Sequence, residues 1–418
     1  MQRWLYFCKF LERFGIKPFV ITVDEKKASY KFIDKSFAEK VKHVEVYRTN
    51  TVEPLKIYSR LLSGDSSAEI PQGFAGESSP NIFQKISRFV RGNFFLPDAR
   101  VGWNRFALKK AEEIIRREKI KLVITTGPPQ STHLIGLKLK KKMNVKWIAD
   151  FRDPWTEIYY NSMLYKTSWA KKYEEKREKQ VLNAADGVIA IGPGLRNLLQ
   201  RKVGGSQPEK FHFVYNGYDQ DAFEGLQRTP DKDHFTICHI GILSDNQPVT
   251  AFLNALQKFL LKHDNKISSS IRLKFVGKVS PGIMQEINML VPGIEAEIIS
   301  YLPHKEALIH MQNADLLLNS FAISAESDIL VSGKLMEYIA TGNPILALGN
   351  TNGDAASLLQ TMAYAKIFER KDVNGISDFI ENIYGHWKNG KSFEKLNTIQ
   401  YSRLETTRQL ATILNKYI

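Results

Sequence analysis

Short apolar runs that end in glycine or aspartate recur along this chain, and helically spaced segments separate them. Residues 122–126 run into Gly127, 145–149 into Asp150, and 235–240 into Gly241. Residues 19–23, 43–47, 186–191, 298–302, 315–319 and 344–347 have the same strand character. Runs this short and this apolar read as strands buried on both faces of parallel sheets, because parallel strands need helical crossovers that cover the sheet. The spacing predicts helices over 4–14, 81–95, 103–118, 133–142, 167–182, 373–385 and 398–417. The expected fold class is therefore α/β, with doubly wound, Rossmann-like sheets whose ligands bind at the carboxyl ends of the strands. A chain of 418 residues is too long for one ordinary core, so two such domains are expected.

Composition narrows the class further. No apolar run approaches the roughly 20 residues that a membrane-spanning helix needs. Arg3, Lys9, Glu12 and Arg13 interrupt the apolar N-terminus, which lacks the pattern of a signal peptide. Two distant cysteines, Cys8 and Cys238, propose neither a disulfide framework nor a metal site, and a cytoplasmic location is expected. Residues 1–200 hold 37 Lys and Arg against 21 Asp and Glu, whereas residues 201–418 hold 22 against 23. The basic half should seek an anionic partner such as a membrane surface or a lipid pyrophosphate. Residues 81–95 place Phe83, Ile86 and Phe89 on one helical face, with Lys85, Arg88 and Arg91 to flank it. Such a helix suits the inner face of an anionic membrane, or else a domain core. Nucleic acid would match the pI, but no nucleic-acid motif is present.

Three stretches carry candidate chemistry. In residues 329–347, Ser332 and Gly333 precede a half-apolar helix that Gly342 and Pro344 terminate. A helix start with Lys334 attracts phosphate, and Glu337, one turn on, can accept hydrogen bonds from a sugar diol. The second stretch is the loop Gly127-Pro128-Pro129-Gln130-Ser131-Thr132-His133, which follows a strand and opens a helix. Gly127, Gln130, Ser131 and His133 lie where the loops of α/β sheets bind ligands and are candidates for doing so. The third is Asp150, Arg152 and Asp153, which crowd the end of the next strand as an internal Asp–Arg pair and helix cap, or as contacts to an acceptor hydroxyl or a phosphate.

The order of a small-residue loop, Gly-Lys, a helix ending in Glu-Tyr and then Gly-x-Pro resembles the donor-site signature of retaining GT-B glycosyltransferases of the family 4 type. Residues 125–136 (TTGPPQSTHLIG) and 149–155 (ADFRDPW) also resemble segments of bacterial members that build surface glycans. The resemblance implies that Glu337 binds the ribose of a nucleotide-diphosphate sugar. It implies phosphate contacts from Gly241, Ser244, Gly277, Lys278, Ser332, Gly333 and Lys334, retention of configuration, and neither metal nor cofactor. The partners would be the nucleotide sugar and a glycan or lipid-linked acceptor. An acceptor domain over 1–220, a nucleotide-sugar domain over 221–397 and a crossover helix over 398–418 are expected, the two domains facing a cleft. Asn216-Gly217-Tyr218-Asp219 would mark the hinge.

The sequence departs from that pattern in four places. A strand and Gly-rich loop that come first in the family have no counterpart before Gln2. Ile329 stands where many members have a second glutamate, leaving Glu326 or Asp328 to contact the donor sugar. Ile242 and Gln247 stand near the places of an arginine and a lysine. These departures keep a non-catalytic GT-B subunit and a nucleotide-sugar epimerase of the same fold as alternatives.

Overall fold

The computed structural model describes the chain except residues 1, 29–38, 54–81, 265, 301, 325–326, 330, 392 and 394–396. Residues 63–80, a polar stretch of Gly, Ser and Pro whose composition reads as a loop, and Glu326 therefore lie outside the described residues. The chain divides into two compact units, Met1–Tyr215 with Thr407–Ile418, and Asn216–Thr406.

The first unit opens with helix α1 (Gln2–Leu11), strands β1 (Phe19–Val23) and β2 (Glu45–Thr49), and helices α2 (Ile82–Phe94) and α3 (Asn104–Glu118). Next come β3 (Leu122–Gly127), α4 (Ser131–Met143), β4 (Lys146–Phe151), α5 (Ser168–Ala184), β5 (Gly187–Ala190), α6 (Pro193–Arg201) and β6 (Phe211–Phe213). Strands β3-β4-β5-β6 form one parallel sheet in that order, and β1 pairs in parallel with β2. The strand expected at 43–47 is displaced to 45–49, because pairing sets Phe19 opposite Glu45 and Val23 opposite Thr49. Trp147 on β4 is wholly buried, and α4 comes so close that a Cβ on Gly136 would lie 2.1 Å from its Nε1.

The second unit alternates strictly: β7 (Phe235–Ile240), α7 (Thr250–Lys262), β8 (Ile271–Val276), α8 (Pro281–Leu290), β9 (Glu295–Ile299), α9 (His304–Asn313) and β10 (Leu316–Ser320). It continues with α10 (Gly333–Thr341), β11 (Ile345–Leu348), α11 (Asp354–Leu359), β12 (Ala365–Phe368) and α12 (Val373–Lys388). All six strands are parallel, in the order β9-β8-β7-β10-β11-β12. The order runs outward from β7, then reverses at β7/β10, which makes that point the topological switch where doubly wound sheets bind ligands. The strand expected at 298–302 ends at Ile299, whose carbonyl accepts from Gly277 N at 2.8 Å, and Pro303 then opens α9.

The last helix is α13 (Arg403–Leu414), and from Thr407 on its residues belong to the first unit. Leu410, Ala411 and Leu414 pack there with Phe7, Leu11, Ile148, Ile189 and Val214. Tyr417 Oη lies 3.1 Å from His212 Nε2.

Gly136 tests this packing. An alanine would gain about 0.5–1 kcal/mol of helix propensity but would be driven into a wholly buried indole, an overpacking that costs roughly 1–3 kcal/mol. Gly136→Ala should therefore lower stability in urea titration by about 1–2 kcal/mol net, whereas Lys138→Ala, at an exposed position of the same helix, should stay within ~0.5 kcal/mol.

Candidate functional site

The switch point of the second sheet is built from glycines. Gly241 follows β7 at φ 105°, and Gly277 follows β8 at φ 129°. Both are in the left-handed half of backbone space that side chains disfavour. A Cβ on Gly277 would also lie 2.4 Å from the Gly241 carbonyl oxygen, so the two turns can approach only as glycines. Leu243 N donates to Lys278 O at 2.9 Å, and Ser280 N donates to Leu243 O at 2.9 Å, zipping the loops together. Gln247 belongs to this frame: its Oε1 accepts from Ser244 N at 3.3 Å and its Nε2 donates to Ser320 O at 2.9 Å. Ser244 Oγ likewise bonds Asn246 at 2.7 Å. Lys278 is exposed beside the turn, and Ile242 is exposed at its tip.

Helix α10 starts at the same edge of the sheet. Ser332 caps it, its Oγ accepting from Leu335 N at 3.2 Å, and Gly333 is exposed with open space above its Cα. Gly342, at φ 69°, ends it. Tyr338 is buried in the helix interior, where its hydroxyl accepts from Ile240 N at 2.9 Å and donates to Leu318 O at 3.3 Å. It thereby ties α10 to both strands of the switch.

Lys334 lies under the Gly241 turn; its Nζ is 4.0 Å from where a Gly241 Cβ would stand. The ammonium faces His239 Nε2 at 3.5 Å. His239 Nδ1 lies 3.0 Å from Leu318 O, and a carbonyl can only accept, so Nδ1 carries the proton and Nε2 presents a lone pair to the lysine. Burial, and then Lys334 itself, hold His239 well below its usual pKa, so it stays neutral. Burial lowers Lys334 to about 8. Among the described residues no carboxylate pairs with this cation. Glu337, three residues on, instead bonds His304 Nε2 at 2.8 Å. Asp328 is exposed and bonds Asn350.

The first-unit candidates sit at the ends of β3 and β4. Asp150 is wholly buried, and its carboxylate is engaged on both oxygens. Arg3 Nε and Nη2 donate to Oδ1 at 3.2 and 3.1 Å, Trp4 Nε1 to Oδ2 at 2.7 Å, and Thr126 Oγ1 to Oδ2 at 2.8 Å. The ion pair is internal, but Asp150 makes it with Arg3 rather than with Arg152, and it anchors α1 to the sheet. Arg152 donates to the carbonyls of Gly127 and Pro128, holding the loop from below. Asp153 is partly exposed; burial raises its pKa, against the pull of Arg152. Ser131 is fixed by Asp98, which accepts from Ser131 N at 2.7 Å and from its Oγ at 2.8 Å. Gln130 and His133 are buried behind the loop, with the Gln130 amide and His133 Nε2 lacking a protein partner among the described residues. A Cβ on Gly127 would lie 2.4 Å from Gln130 Oε1 and 2.7 Å from His133 Nε2. Burial lowers His133 to about 3, so it is neutral at physiological pH.

The sequence pattern does not single out His239, Tyr338, His304 or Asp98. The partners that fix them lie 20 to 98 residues away, beyond the reach of periodicity. A histidine that opens a helix after a strand and a proline is the one signal His304 gives. Among the described residues, no group of three His, Cys, Asp or Glu side chains is placed to hold a metal ion.

Comparison with known proteins meets this geometry. Residues 69–222 match the model of Glycosyltransferase Family 4. The structure of Anabaena Alr3699/HepE in complex with UDP and glucose superposes with a TM-score of 0.54 at 13% identity, covering 95% of this chain and 99% of that one. The chain resembles the GT-B glycosyltransferases. The N-terminal domain of Candida albicans trehalose-6-phosphate phosphatase superposes with a TM-score of 0.52 at 13% identity, covering 96% of each chain. A 105-residue stretch is 26% identical to alpha-maltose-1-phosphate synthase of Mycolicibacterium smegmatis, 25% of this chain and 24% of that enzyme. The chain thus spans about a quarter of the length of that curated relative. At these identities the structural likeness establishes the fold, two Rossmann-like domains of GT-B type.

Lys334 gives this site a measurable signature. At pH 8 its amine is near half protonation, and an arriving diphosphate favours the charged form. Nucleoside diphosphate binding at pH 8 should take up about half a proton, read as a buffer-dependent enthalpy in calorimetry. The uptake should vanish at pH 6, where the amine is already charged, and in Lys334→Met.

Proposed function

We propose that this chain is a glycosyltransferase that moves a sugar from a nucleotide-diphosphate sugar to a glycan or lipid-linked acceptor in cell-surface polysaccharide assembly. The observation that carries the reading is Lys334, held at the N-terminal end of α10 under the Gly241 turn at the switch of the second sheet. That is where a diphosphate finds backbone N–H groups, a helix dipole and a cation together. Gly241, Ser244, Gly277, Lys278, Ser332 and Gly333 would surround the phosphates, and Glu337 would take the ribose. As the glycosidic bond breaks, negative charge grows on the leaving diphosphate, and preorganised positive groups stabilise it. Retention and independence of metal follow from the family resemblance.

In the first unit, Gly127, Gln130, Ser131 and His133 shape the acceptor side. Asp153 is the carboxylate there that is open to an acceptor hydroxyl, while Arg152 braces the loop and Asp150 is taken up by Arg3, Trp4 and Thr126. Ile329 and the exposed Ile242 favour one other reading, a non-catalytic subunit that binds nucleotide sugar without turnover.

The wild type and Glu337→Ala should be compared by thermal shift with UDP-, GDP-, ADP- and dTDP-sugars. A ligand at 100 times its dissociation constant stabilises by about 2.7 kcal/mol, and Glu337→Ala should abolish the shift for the one nucleotide class that gives it. Absence of any shift would overturn the donor site. Turnover without an acceptor would identify an epimerase, and binding without turnover a non-catalytic subunit.

Peripheral attachment to the inner face of an anionic membrane is part of the same proposal. On α2, Ile82, Ile86, Phe89 and Phe94 are 73%, 50%, 41% and 72% exposed. Asn93 joins this helix to the start of α5, accepting from Thr167 N at 2.8 Å and donating to Tyr165 O at 3.2 Å. Tyr165 and Trp169 there are 45% and 65% exposed. Lys85, Lys171 and Lys172 are exposed on the same two helices. Arg88, expected to flank the apolar face, is buried instead, and the side chain of Phe83 lies outside the described residues. Exposed aromatic and apolar side chains with lysines suit an anionic bilayer surface. The protein should sediment with vesicles containing phosphatidylglycerol and not with pure phosphatidylcholine. Phe94→Ser with Trp169→Ser should weaken that binding by about tenfold.

A further inference from the structure

A lysine and a glutamate three residues apart on one helix are close enough to pair with each other. Lys334 and Glu337 are so spaced on α10, and they do not pair. Glu337 Oε1 accepts instead from His304 Nε2 at 2.8 Å, while Lys334 Nζ faces the lone pair of His239 at 3.5 Å. His304 is the first residue of α9, directly after Pro303. Helix α9 follows β9 as α10 follows β10, so both helix starts stand at the carboxyl edge of the sheet, and α9 packs against α10. The donor is fixed by chemistry: a carboxylate only accepts, so Nε2 carries the proton.

We propose that His304 is a positioning residue of the nucleotide site, which holds the Glu337 carboxylate in place and sets its second oxygen toward the ribose hydroxyls. The inference rests on the donor-site reading above. The carboxylate stays in one rotamer, so the ligand need not order it on arrival. His304 acts through Glu337, and its effect should therefore depend on the ribose hydroxyl that Glu337 receives.

The test is a set of calorimetric titrations of the full chain with UDP, GDP and ADP and their 2′-deoxy counterparts. Wild type, Glu337→Ala, His304→Ala and His304→Gln would be compared. Glutamine retains an N–H donor able to reach the carboxylate. His304→Ala should weaken the ribonucleotide that binds by about five- to tenfold and its 2′-deoxy form by less than about twofold. His304→Gln should recover most of the loss. Equal losses with both nucleotides would overturn the positioning role, since His304 would then act on something other than the ribose contact. So would full affinity in His304→Ala alongside lost affinity in Glu337→Ala. Full affinity in Glu337→Ala, or no nucleotide bound by the wild type, would bring down the donor-site reading itself and the role of His304 with it.

Discussion

Parallel strand pairing is the constraint from which the rest of this molecule follows. Parallel neighbours cannot be joined by a tight turn; each connection must cross over, and a helix does so most compactly. The second unit accepts that constraint five times, once between each pair of successive strands. Every loop that leaves a strand therefore emerges on one edge, and every helix that follows begins on that edge with unpaired N–H groups. Where the strand order reverses, between β7 and β10, no crossover covers the edge. Gly241, Gly277 and the start of α10 meet there because the topology leaves nothing else in the space.

The backbone supplies the place, and side chains set its charge. Tyr338 and His239 each bond the same carbonyl, that of Leu318. The first ties α10 to β7, and the second has its tautomer fixed by that bond, so that a lone pair points at Lys334. In the first unit, Asp150 and Asp98 act in a comparable way on the other candidate loop. Asp150 gathers α1, β3 and β4 around one buried carboxylate. Asp98 satisfies the start of α4, which has no capping side chain of its own. Both carboxylates do their work inside the fold.

Much of this was legible in the sequence, and the parts that were not share one cause. Ser332 as a cap, Gly342 as a terminator and the strand at Ile345–Leu348 come from local rules, since capping and left-handed glycine are decided within a few residues. Strand register is not local. Residues 43–47 and 298–302 have strand character, but the strands end where Phe19 and Gly277 pair with them. The site divides in the same way. Lys334 and Glu337 can be seen from their spacing along one helix. The partners that decide what they do, His239 and His304, come from other elements and carry no pattern that points to α10. Arg88 shows the converse: helical spacing offered it as a flanking charge, and tertiary packing buried it.

The choice of a histidine as the neighbour of Lys334 is itself informative. A carboxylate in that position would hold the lysine fully charged, but it would also occupy the ammonium and repel an incoming diphosphate. Neutral His239 orients the amine without cancelling its charge. The cost is visible in the lysine, since a fall from 10.5 to about 8 disfavours the ammonium by on the order of 3 kcal/mol. That cost persists only while the cation is buried without an anion. A diphosphate at the Gly241 turn would remove it, so part of the desolvation borne by the free protein returns as affinity for the one kind of ligand that brings negative charge. A surface lysine carries no such reserve, because water already solvates it.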